Sequence, residues 1–340
     1  MALKNPGLPK VLVTARFADE VMNALSEGYD LEAHREDFPI ARDRLLQSVA
    51  DKEGLIPIIS DAVDRELLDR APRLRVVANF GVGYNNIDVS AATERGILVT
   101  NTPDVLTDAT ADLAFALILS VARRVVELDA LTRRGAFRAW APMLNLSREV
   151  SGKVLGIIGM GRIGRAVARR AQGFGMRIIY CDPRHMDASL EAALDAEHVG
   201  LDTLLKIADF VSLHVPLMEE TMHLIGSAEL GLMKKESYLI NVSRGPVVDE
   251  GALVTALKAG TIAGAGLDVY EKEPKLTPGL TKLENAVLLP HIGSATNDTR
   301  GQMAVVAAKN ALAMLRGKRP KNIVNPQVFE ASEYLRRIEK

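Results

Sequence analysis

Short apolar and β-branched runs alternate with longer stretches of helical periodicity along most of the chain. In the first third these runs are Lys10–Thr14, Ile56–Ser60, Leu74–Ala78 and Ile97–Thr100. Each run has the length of one strand, and the stretches between them repeat apolar residues at the spacing of an amphipathic helix. This alternation indicates βαβ units and therefore a parallel sheet.

The alternation begins again after a long apolar helix, predicted at Thr110–Val121, and a polar, irregular segment that reaches Ser151. A final helix, Thr299–Leu315, is followed by no new strands, so we expect it to pack on the first domain. Residues Glu330–Lys340 are predicted to form a tail or a short surface helix. Six strand candidates, enough for a complete doubly wound domain, lie between these two helices: Val154–Ile158, Arg177–Tyr180, Phe210–Leu213, Tyr238–Asn241, Gly264–Asp268 and Ala286–Pro290.

The predicted fold class is α/β, with two Rossmann-like parallel-sheet domains separated by a cleft. One domain is flavodoxin-like and the other has the pattern of a dinucleotide-binding domain. We place the first at residues 1–101 and 292–340 and the second, inserted in it, at residues 102–291.

Composition is typical of a globular α/β protein: of 340 residues, 48% are hydrophobic, 25% charged and only 4% aromatic. The 42 basic and 43 acidic residues are mixed along the chain, so nucleic acid is not an expected partner. No apolar run is long enough to span a bilayer and the first residues lack a signal-peptide pattern, so we expect no membrane partner and a cytoplasmic location. The single cysteine, Cys181, excludes an intrachain disulfide and a cysteine-based structural zinc site.

A GxGxxG motif directly follows the predicted strand Val154–Ile158 and opens a helix. In this setting the motif predicts a loop that binds the pyrophosphate of a dinucleotide at a helix N-terminus. Asp182 ends the next strand, at the spacing where a carboxylate binds the adenosine ribose. The cofactor-binding residues predicted here are Gly159, Gly161, Arg162, Ile163, Gly164 and Asp182.

Asp182 also bears on which dinucleotide is bound. Because a carboxylate repels a ribose 2′-phosphate, we expect NAD(H) to be preferred. Arg184 could instead turn toward that phosphate and allow NADP(H), or it could cover the adenine ring.

Polar residues follow the ends of three further predicted strands: Arg244, Glu273 and His291. Singly, each has a structural explanation, as a surface ion-pair partner, a loop acid or a buried histidine. Ligands of open α/β sheets bind at the carboxyl ends of the strands. Together, in a dinucleotide-binding domain, the three residues indicate an active site.

The order of these segments resembles the D-isomer-specific 2-hydroxyacid dehydrogenase family from about Leu74 to Asn325. The resemblance rests on the inserted domain, the glycine motif, and the segments NVSRG, DVYEKEP and PHIGSAT. Residues 54–64, 101–114 and 135–140 are most similar to the glyoxylate/hydroxypyruvate reductases. The resemblance implies an oxidoreductase that reduces a small 2-keto acid to the D-2-hydroxy acid with NAD(P)H, as a homodimer. It makes residues 1–101 and 292–340 the substrate domain and residues 102–291 the NAD(P)-binding domain.

The resemblance implies that His291 donates the proton, that Glu273 orients the imidazole of His291, and that Arg244 binds the substrate. The chemistry agrees, because a carboxylate beside an imidazole favours its protonated form near neutral pH. A guanidinium also holds a carboxylate through two parallel hydrogen bonds, which a lysine cannot do.

Further family positions line the two ligands. The backbone N–H groups of Val82 and Gly83 are expected to receive the substrate carboxylate. Trp140 is expected either to reach the active site of the other subunit or to pack in the interface. The remaining histidines do not belong to this constellation, His214 is interpreted as structural, and no metal is implied. The other expected cofactor contacts are Thr110, Val215, Pro216, Val242, Asp268 and Gly293.

Other functions fit the same residue set. Phosphite, D-lactate and phosphoglycerate dehydrogenases would use a similar arginine, glutamate and histidine, although no additional regulatory domain is expected after the last helix. A corepressor-like protein that senses NADH would keep the set and show little turnover.

Overall fold

The structure, a computed structural model, describes residues 7–334. The chain divides into two compact units. The first holds the described residues up to Leu106 and those from Thr296 onward, and the second spans Thr107–Ala295. The two crossings lie five and four residues beyond the expected ones at 101/102 and 291/292.

The first unit is built on a five-stranded parallel sheet with strand order β2-β1-β3-β4-β5. This is the flavodoxin-like order. Its strands are β1 Lys10–Val13, β2 Asp30–Ala33, β3 Gly54–Ile56, β4 Val76–Ala78 and β5 Leu98–Thr100, and the helices between them are α1 Asp19–Ser26, α2 Arg42–Ser48, α3 Arg65–Arg70 and α4 Val89–Glu94.

The second unit contains a seven-stranded parallel sheet, ordered β12-β11-β10-β9-β6-β7-β8. From β8 to β11 this is the dinucleotide-binding order, and β12 extends it by one strand. The strands are β6 Val154–Ile158, β7 Arg177–Cys181, β8 Ala196–His198, β9 Phe210–Leu213, β10 Tyr238–Asn241, β11 Gly264–Leu267 and β12 Ala286–Leu288; the helices are α5 Thr107–Ala122, α6 Val125–Arg133, α7 Arg162–Gln172, α8 Ala188–Leu194, α9 Leu201–Ile207, α10 Ser227–Leu232 and α11 Glu250–Ala259.

Helix α5 is the centre of the second unit. It packs on β10, β11 and α7, and its side chains are buried along most of its length. Gly266 in β11 permits the close approach, because a Cβ atom there would lie 3.0 Å from the Cβ of Leu117. The strands beneath α5 are buried on both faces, as expected for a sheet covered by helices.

The final helix, α12 Asn297–Leu315, belongs to the first unit and packs on β3 and β4. Thr296 caps its first turn, with its hydroxyl oxygen accepting the N–H of Thr299 at 3.1 Å. Ala304, Ala307 and Ala311 form the buried face. The prediction that this helix packs on the first domain is therefore confirmed.

Several predicted elements differ from the structure. The strand predicted at Ile56–Ser60 is wrong, because β3 ends at Ile56 and the chain then turns. Pro57 has no N–H for the ladder, and the carboxylate of Asp61 accepts the N–H of Ile58 at 2.9 Å. Within the segment predicted as irregular, α6 forms a helix none of whose residues is buried.

The structure also adds two strands, β2 and β8, that the apolar pattern did not predict. Both lie at a sheet edge, and at most one residue of each is buried. The long apolar helix begins at Thr107 rather than Thr110. A short 3₁₀ helix, Pro326–Glu330, precedes the predicted tail, of which residues 335–340 lie outside the described residues.

Candidate active site

The glycine motif forms the turn between β6 and α7. Gly159 has a φ of +93°, and a Cβ atom there would lie 2.8 Å from the carbonyl carbon of His214. A Cβ at Gly164 would lie 2.2 Å from the carbonyl oxygen of Gly159, whereas one at Gly161 would meet no atom within 4 Å. The turn therefore needs its first and third glycines for its own packing, and the second leaves the backbone open at the N-terminus of α7. This geometry fits a bound pyrophosphate.

Asp182 follows β7 and adjoins this turn. One carboxylate oxygen accepts the N–H of Met160 at 2.9 Å, and the other accepts the N–H of Arg184 at 3.0 Å. Each oxygen retains capacity for a second hydrogen bond. The carboxylate is thus fixed beside the glycine turn, where it could bind ribose hydroxyls.

Arg244 follows β10 and begins a short 3₁₀ helix, Gly245–Val247. The Nη1 atom of Arg244 donates to the carbonyl oxygen of Ser243 at 2.7 Å. The backbone carbonyl oxygen of Arg244 accepts the side-chain amide of Asn241 at 3.0 Å. Burial lowers the pKa of Arg244, while the nearby Glu273 carboxylate acts to raise it. The guanidinium is consequently a poorly hydrated cation at the carboxyl end of the sheet.

His291 and Glu273 form a direct pair. His291 Nδ1 lies 2.8 Å from Glu273 Oε2, and Glu273 Oε1 accepts the N–H of Tyr270 at 3.0 Å. Burial acts to raise the pKa of Glu273, but His291, the Tyr270 N–H and Arg244 together hold it below its usual value. Glu273 is therefore an ionised acceptor that orients the imidazole, and among residues 7–334 no hydrogen-bond partner is found for the Nε2 atom of His291.

His291 has a φ of +53°, a conformation that needs support in a residue other than glycine. Asp268 supplies this support. Its carbonyl oxygen accepts the N–H of His291 at 2.9 Å, and its carboxylate accepts the N–H groups of Ile292 at 2.7 Å and Gly293 at 2.8 Å. Burial raises the pKa of this carboxyl against the opposing effect of these N–H groups and His291.

Tyr270 connects the loop of Glu273 with the loop of His291, and the sequence patterns did not point to it. Its hydroxyl donates to the carbonyl oxygen of Leu289 at 2.8 Å, two residues before His291, while its N–H binds Glu273. Burial, helped by nearby carboxylates, raises the pKa of Tyr270 to about 12. The hydroxyl therefore remains a donor throughout the neutral range.

Comparison with known proteins identifies the family. A family model described as the NAD binding domain of D-isomer specific 2-hydroxyacid dehydrogenases matches residues 115–293. The glyoxylate reductase of Thermococcus litoralis is 50% identical over 328 residues, which cover 95% of this chain and 99% of that protein. The chain belongs to the D-isomer-specific 2-hydroxyacid dehydrogenase family.

Solved structures of similar proteins agree with this assignment. A protein from Thermus thermophilus is 47% identical with a TM-score of 0.87, and the match covers 93% of this chain and 99% of that chain. An NADPH-dependent glyoxylate/hydroxypyruvate reductase from Sinorhizobium meliloti, solved with NADP and malonate, is 34% identical with a TM-score of 0.81, over 93% and 96% of the two chains. As a member of this family, the protein is an NAD(P)-dependent oxidoreductase of small keto or hydroxy acids.

Several other predicted cofactor positions of this 2-hydroxyacid dehydrogenase adjoin the residues just described. The Thr110 hydroxyl donates to the carbonyl oxygen of Gly293 at 3.2 Å. Val215 borders the glycine turn, since a Cβ at Gly159 would lie 2.9 Å from its Cγ1. The structure shows Arg162 and Pro216 exposed, Ile163 half-buried and Val242 packed in the core around α5.

Val82 and Gly83 lie in the first unit, after β4. The three carbonyl groups of this loop are all engaged: Gly81 accepts the N–H of Thr102 at 3.0 Å, Val82 the amide of Asn101 at 2.8 Å, and Gly83 the amide of Asn79 at 2.9 Å. Between residues 7 and 334, no acceptor is found for the N–H of Val82 or Gly83. The two asparagines were not predicted, although both directly follow strands.

Trp140 lies in the irregular segment after α6 and is 82% exposed. It makes none of the described contacts of Arg244, Glu273 or His291. Its neighbours in the sequence include other exposed apolar residues, namely Phe137, Met143, Leu144 and Leu146.

Among residues 7–334, no helix is long and apolar enough to cross a membrane. The same residues contain no group of three or more histidine, cysteine, aspartate or glutamate side chains placed to hold a metal ion.

Proposed function

We propose that this dehydrogenase is a glyoxylate/hydroxypyruvate reductase that forms the D-2-hydroxy acid. The observation that carries the proposal is the His291–Glu273 pair at 2.8 Å, with the half-buried Arg244 close enough to Glu273 to lower the pKa of that carboxyl. A proton donor and a cation are what reduction of a 2-keto acid needs beside its carbonyl group.

In this proposal His291 gives its Nε2 proton to the carbonyl oxygen as that oxygen gains negative charge. Glu273 stays ionised, orients the ring through Nδ1 and stabilises the protonated imidazole before transfer. Arg244 binds the substrate and faces the same developing charge. Because Arg244 is half-buried, its charge is screened less by water than that of a fully exposed arginine.

The N–H groups of Val82 and Gly83 would hold the substrate carboxylate. Engagement of all three loop carbonyls supports this role, because it fixes the orientation of the peptide groups. We accordingly assign the substrate-binding role to the first unit and the cofactor-binding role to the second.

NAD(P)H would bind at Gly159–Gly164 and supply the hydride. We propose a preference for NADH, since Asp182 is fixed beside the glycine turn and would repel a 2′-phosphate. The Sinorhizobium meliloti reductase is described as NADPH-dependent. Arg184 is exposed and is the residue of this chain that could counter the repulsion.

We also propose that the protein is a homodimer, in which the exposed apolar residues around Trp140 are covered by the second subunit. A single exposed apolar side chain is ordinary, but five of them within residues 137–146 are typical of an interface.

The test is the initial rate of NADH and, separately, NADPH oxidation with glyoxylate, hydroxypyruvate and pyruvate. We expect the wild type to oxidise NADH with glyoxylate or hydroxypyruvate, and His291→Ala to lose about a thousandfold in kcat. His185→Ala removes an exposed histidine of the same unit and should retain wild-type rates. Absence of turnover with every keto acid, despite NADH binding, would overturn the proposal.

A further inference from the structure

A second set of polar side chains is connected to the loop of Glu273 through Glu271, two residues earlier in the sequence. Its members are His223, Glu250, Glu271 and Thr277. Glu271 and Glu250 hold each other reciprocally, since the carboxylate of each accepts the backbone N–H of the other, at 2.9 Å and 2.7 Å. The hydroxyl of Thr277 donates to the second oxygen of Glu250 at 2.5 Å. Glu250 is only 2% exposed, so these bonds lie within the protein rather than on its surface.

His223 joins this set to the loop that carries Arg244. Its Nε2 lies 3.1 Å from Glu271 Oε1, the oxygen that also accepts the N–H of Glu250. Its backbone N–H donates to the carbonyl oxygen of Pro246 at 2.8 Å, and the N–H of Ile225 donates to Val247 at 3.1 Å. The backbone of His223 is therefore attached to the Arg244 loop, and its ring to the Glu273 loop.

The two loops also meet without intervening space. A Cβ atom at Gly245 would lie 1.8 Å from the carbonyl carbon of Tyr270 and 2.4 Å from the nitrogen of Glu271. The backbone of Tyr270 and Glu271 is thus in direct contact with Gly245, the residue after Arg244.

His223 itself has a φ of +49°, the left-handed region that side chains other than glycine seldom occupy. Such a conformation persists where surrounding contacts require it. Here the contacts are those to Pro246 on one side and Glu271 on the other.

We propose that His223 is a positioning residue that sets the spacing between Arg244 and the Glu273–His291 pair through the 3.1 Å contact of its Nε2 atom with Glu271 Oε1. The inference rests on the proposed function, in which Arg244 binds the substrate and His291 gives the proton. Small displacements of such groups lower the rate steeply, because the reacting atoms must be held at near-contact distance.

The test compares His223→Asn with His223→Gln. Asparagine tolerates the left-handed backbone but is too short to reach Glu271, whereas glutamine can restore a donor to its carboxylate. Arg177→Gln is the matched control, because it removes an exposed 2.6 Å ion pair with Glu197 at the amino end of the same sheet. Measurements are kcat, KM for glyoxylate, the Kd of NADH, Tm and the pH profile of kcat/KM.

We expect His223→Asn to lose about ten- to thirtyfold in kcat/KM, with the Kd of NADH within twofold of wild type. The pH profile of kcat/KM should differ between His223→Asn and the wild type because Glu273 is displaced, whereas a general loss of stability would leave its shape unchanged. His223→Gln should regain most of the rate and Arg177→Gln should lose none. A His223→Asn rate within twofold of wild type, or a loss matched by weaker NADH binding and lower Tm, would overturn the inference.

Failure of the proposed function is distinguishable from failure of this inference. If the wild type reduces no keto acid, the proposed function fails. The position of His223 is then tested by acylation of His291 with diethylpyrocarbonate, followed by peptide mass spectrometry. A severalfold change in the acylation rate of His291 in His223→Asn supports the inference, and an unchanged rate overturns it.

Discussion

Two glycine-containing loops follow parallel strands in this protein, and they present backbone N–H groups by different means. At Gly159–Gly164 the N–H groups are those at the N-terminus of α7, which have no carbonyl partner within the helix itself. At Gly81–Gly83 the next helix begins only at Val89, and the carbonyl groups are instead held by Thr102, Asn101 and Asn79. The first arrangement depends on local structure, and the second depends on side chains from neighbouring strand ends.

The largest effect should come from Gly159→Ala. Alanine at this position would have to adopt a positive φ, and its methyl group would meet the His214 backbone. We therefore expect NADH binding to weaken more than a hundredfold and the free energy of unfolding to fall by about 2–4 kcal/mol. Gly161→Ala meets no protein atom. It should weaken NADH binding while leaving unfolding within about 0.5 kcal/mol of wild type. Fluorescence titration and urea unfolding measure both quantities, and equal stability losses in the two variants would contradict this account.

An intermediate effect is expected from Asn101→Ala at the other loop. Loss of the amide that holds the Val82 carbonyl should raise KM for glyoxylate about tenfold, equivalent to one hydrogen bond of about 1.4 kcal/mol, with the Kd of NADH unchanged. Asn285→Ala is the matched control, because that amide also binds backbone carbonyls, those of Leu257 and Ala263, away from either loop. Steady-state kinetics measure KM for glyoxylate in both variants. An unaltered KM in Asn101→Ala would show that the Gly81–Gly83 loop keeps its conformation without this amide.

A third effect, whose size depends on the pH chosen, is the change of the free energy of unfolding with pH, which should have opposite sign near the two loops. Burial lowers the pKa of His214, beside Gly159, to about 3, so the unfolded state binds the extra proton. The stability contributed by neutral His214 is complete above about pH 6.5 and is lost, at up to about 1.4 kcal/mol per pH unit, as the pH falls toward 3.

Near the other loop, burial raises the pKa of Asp61, whose carbonyl oxygen accepts the amide of Asn86. Its stabilising contribution is complete below the unfolded pKa of about 3.9 and is lost as the pH rises through the folded value. Urea unfolding between pH 7 and 4 should show a flatter loss on acidification in His214→Gln and a steeper one in Asp61→Asn. The reverse order of slopes would refute both assignments.

The contrast between the loops also explains how far the sequence could be interpreted. The Gly159 turn was predictable because strand, glycines and helix are contiguous, and Asp182 stands at a fixed spacing. The role of Asn101 could not be inferred, because its amide reaches a carbonyl nineteen residues earlier in sequence, across a strand boundary. Tyr270 and His223 were missed for the same reason, since their partners come from other loops.

The fold was predictable where burial was strong. Strands covered on both faces gave continuous apolar runs, whereas the edge strands β2 and β8 and the exposed helix α6 carried too few buried residues to give a pattern. The family and its chemistry followed from motifs at the ends of the buried strands, where sequence and topology coincide.

The return of α12 to the first sheet has a consequence for synthesis on the ribosome. Every strand and helix of the second unit has been made once Ala295 has emerged, but β3 and β4 still lack the alanine face of Asn297–Leu315. The nascent first unit therefore exposes an apolar sheet surface while the inserted unit can already fold, and such transiently exposed surface promotes aggregation.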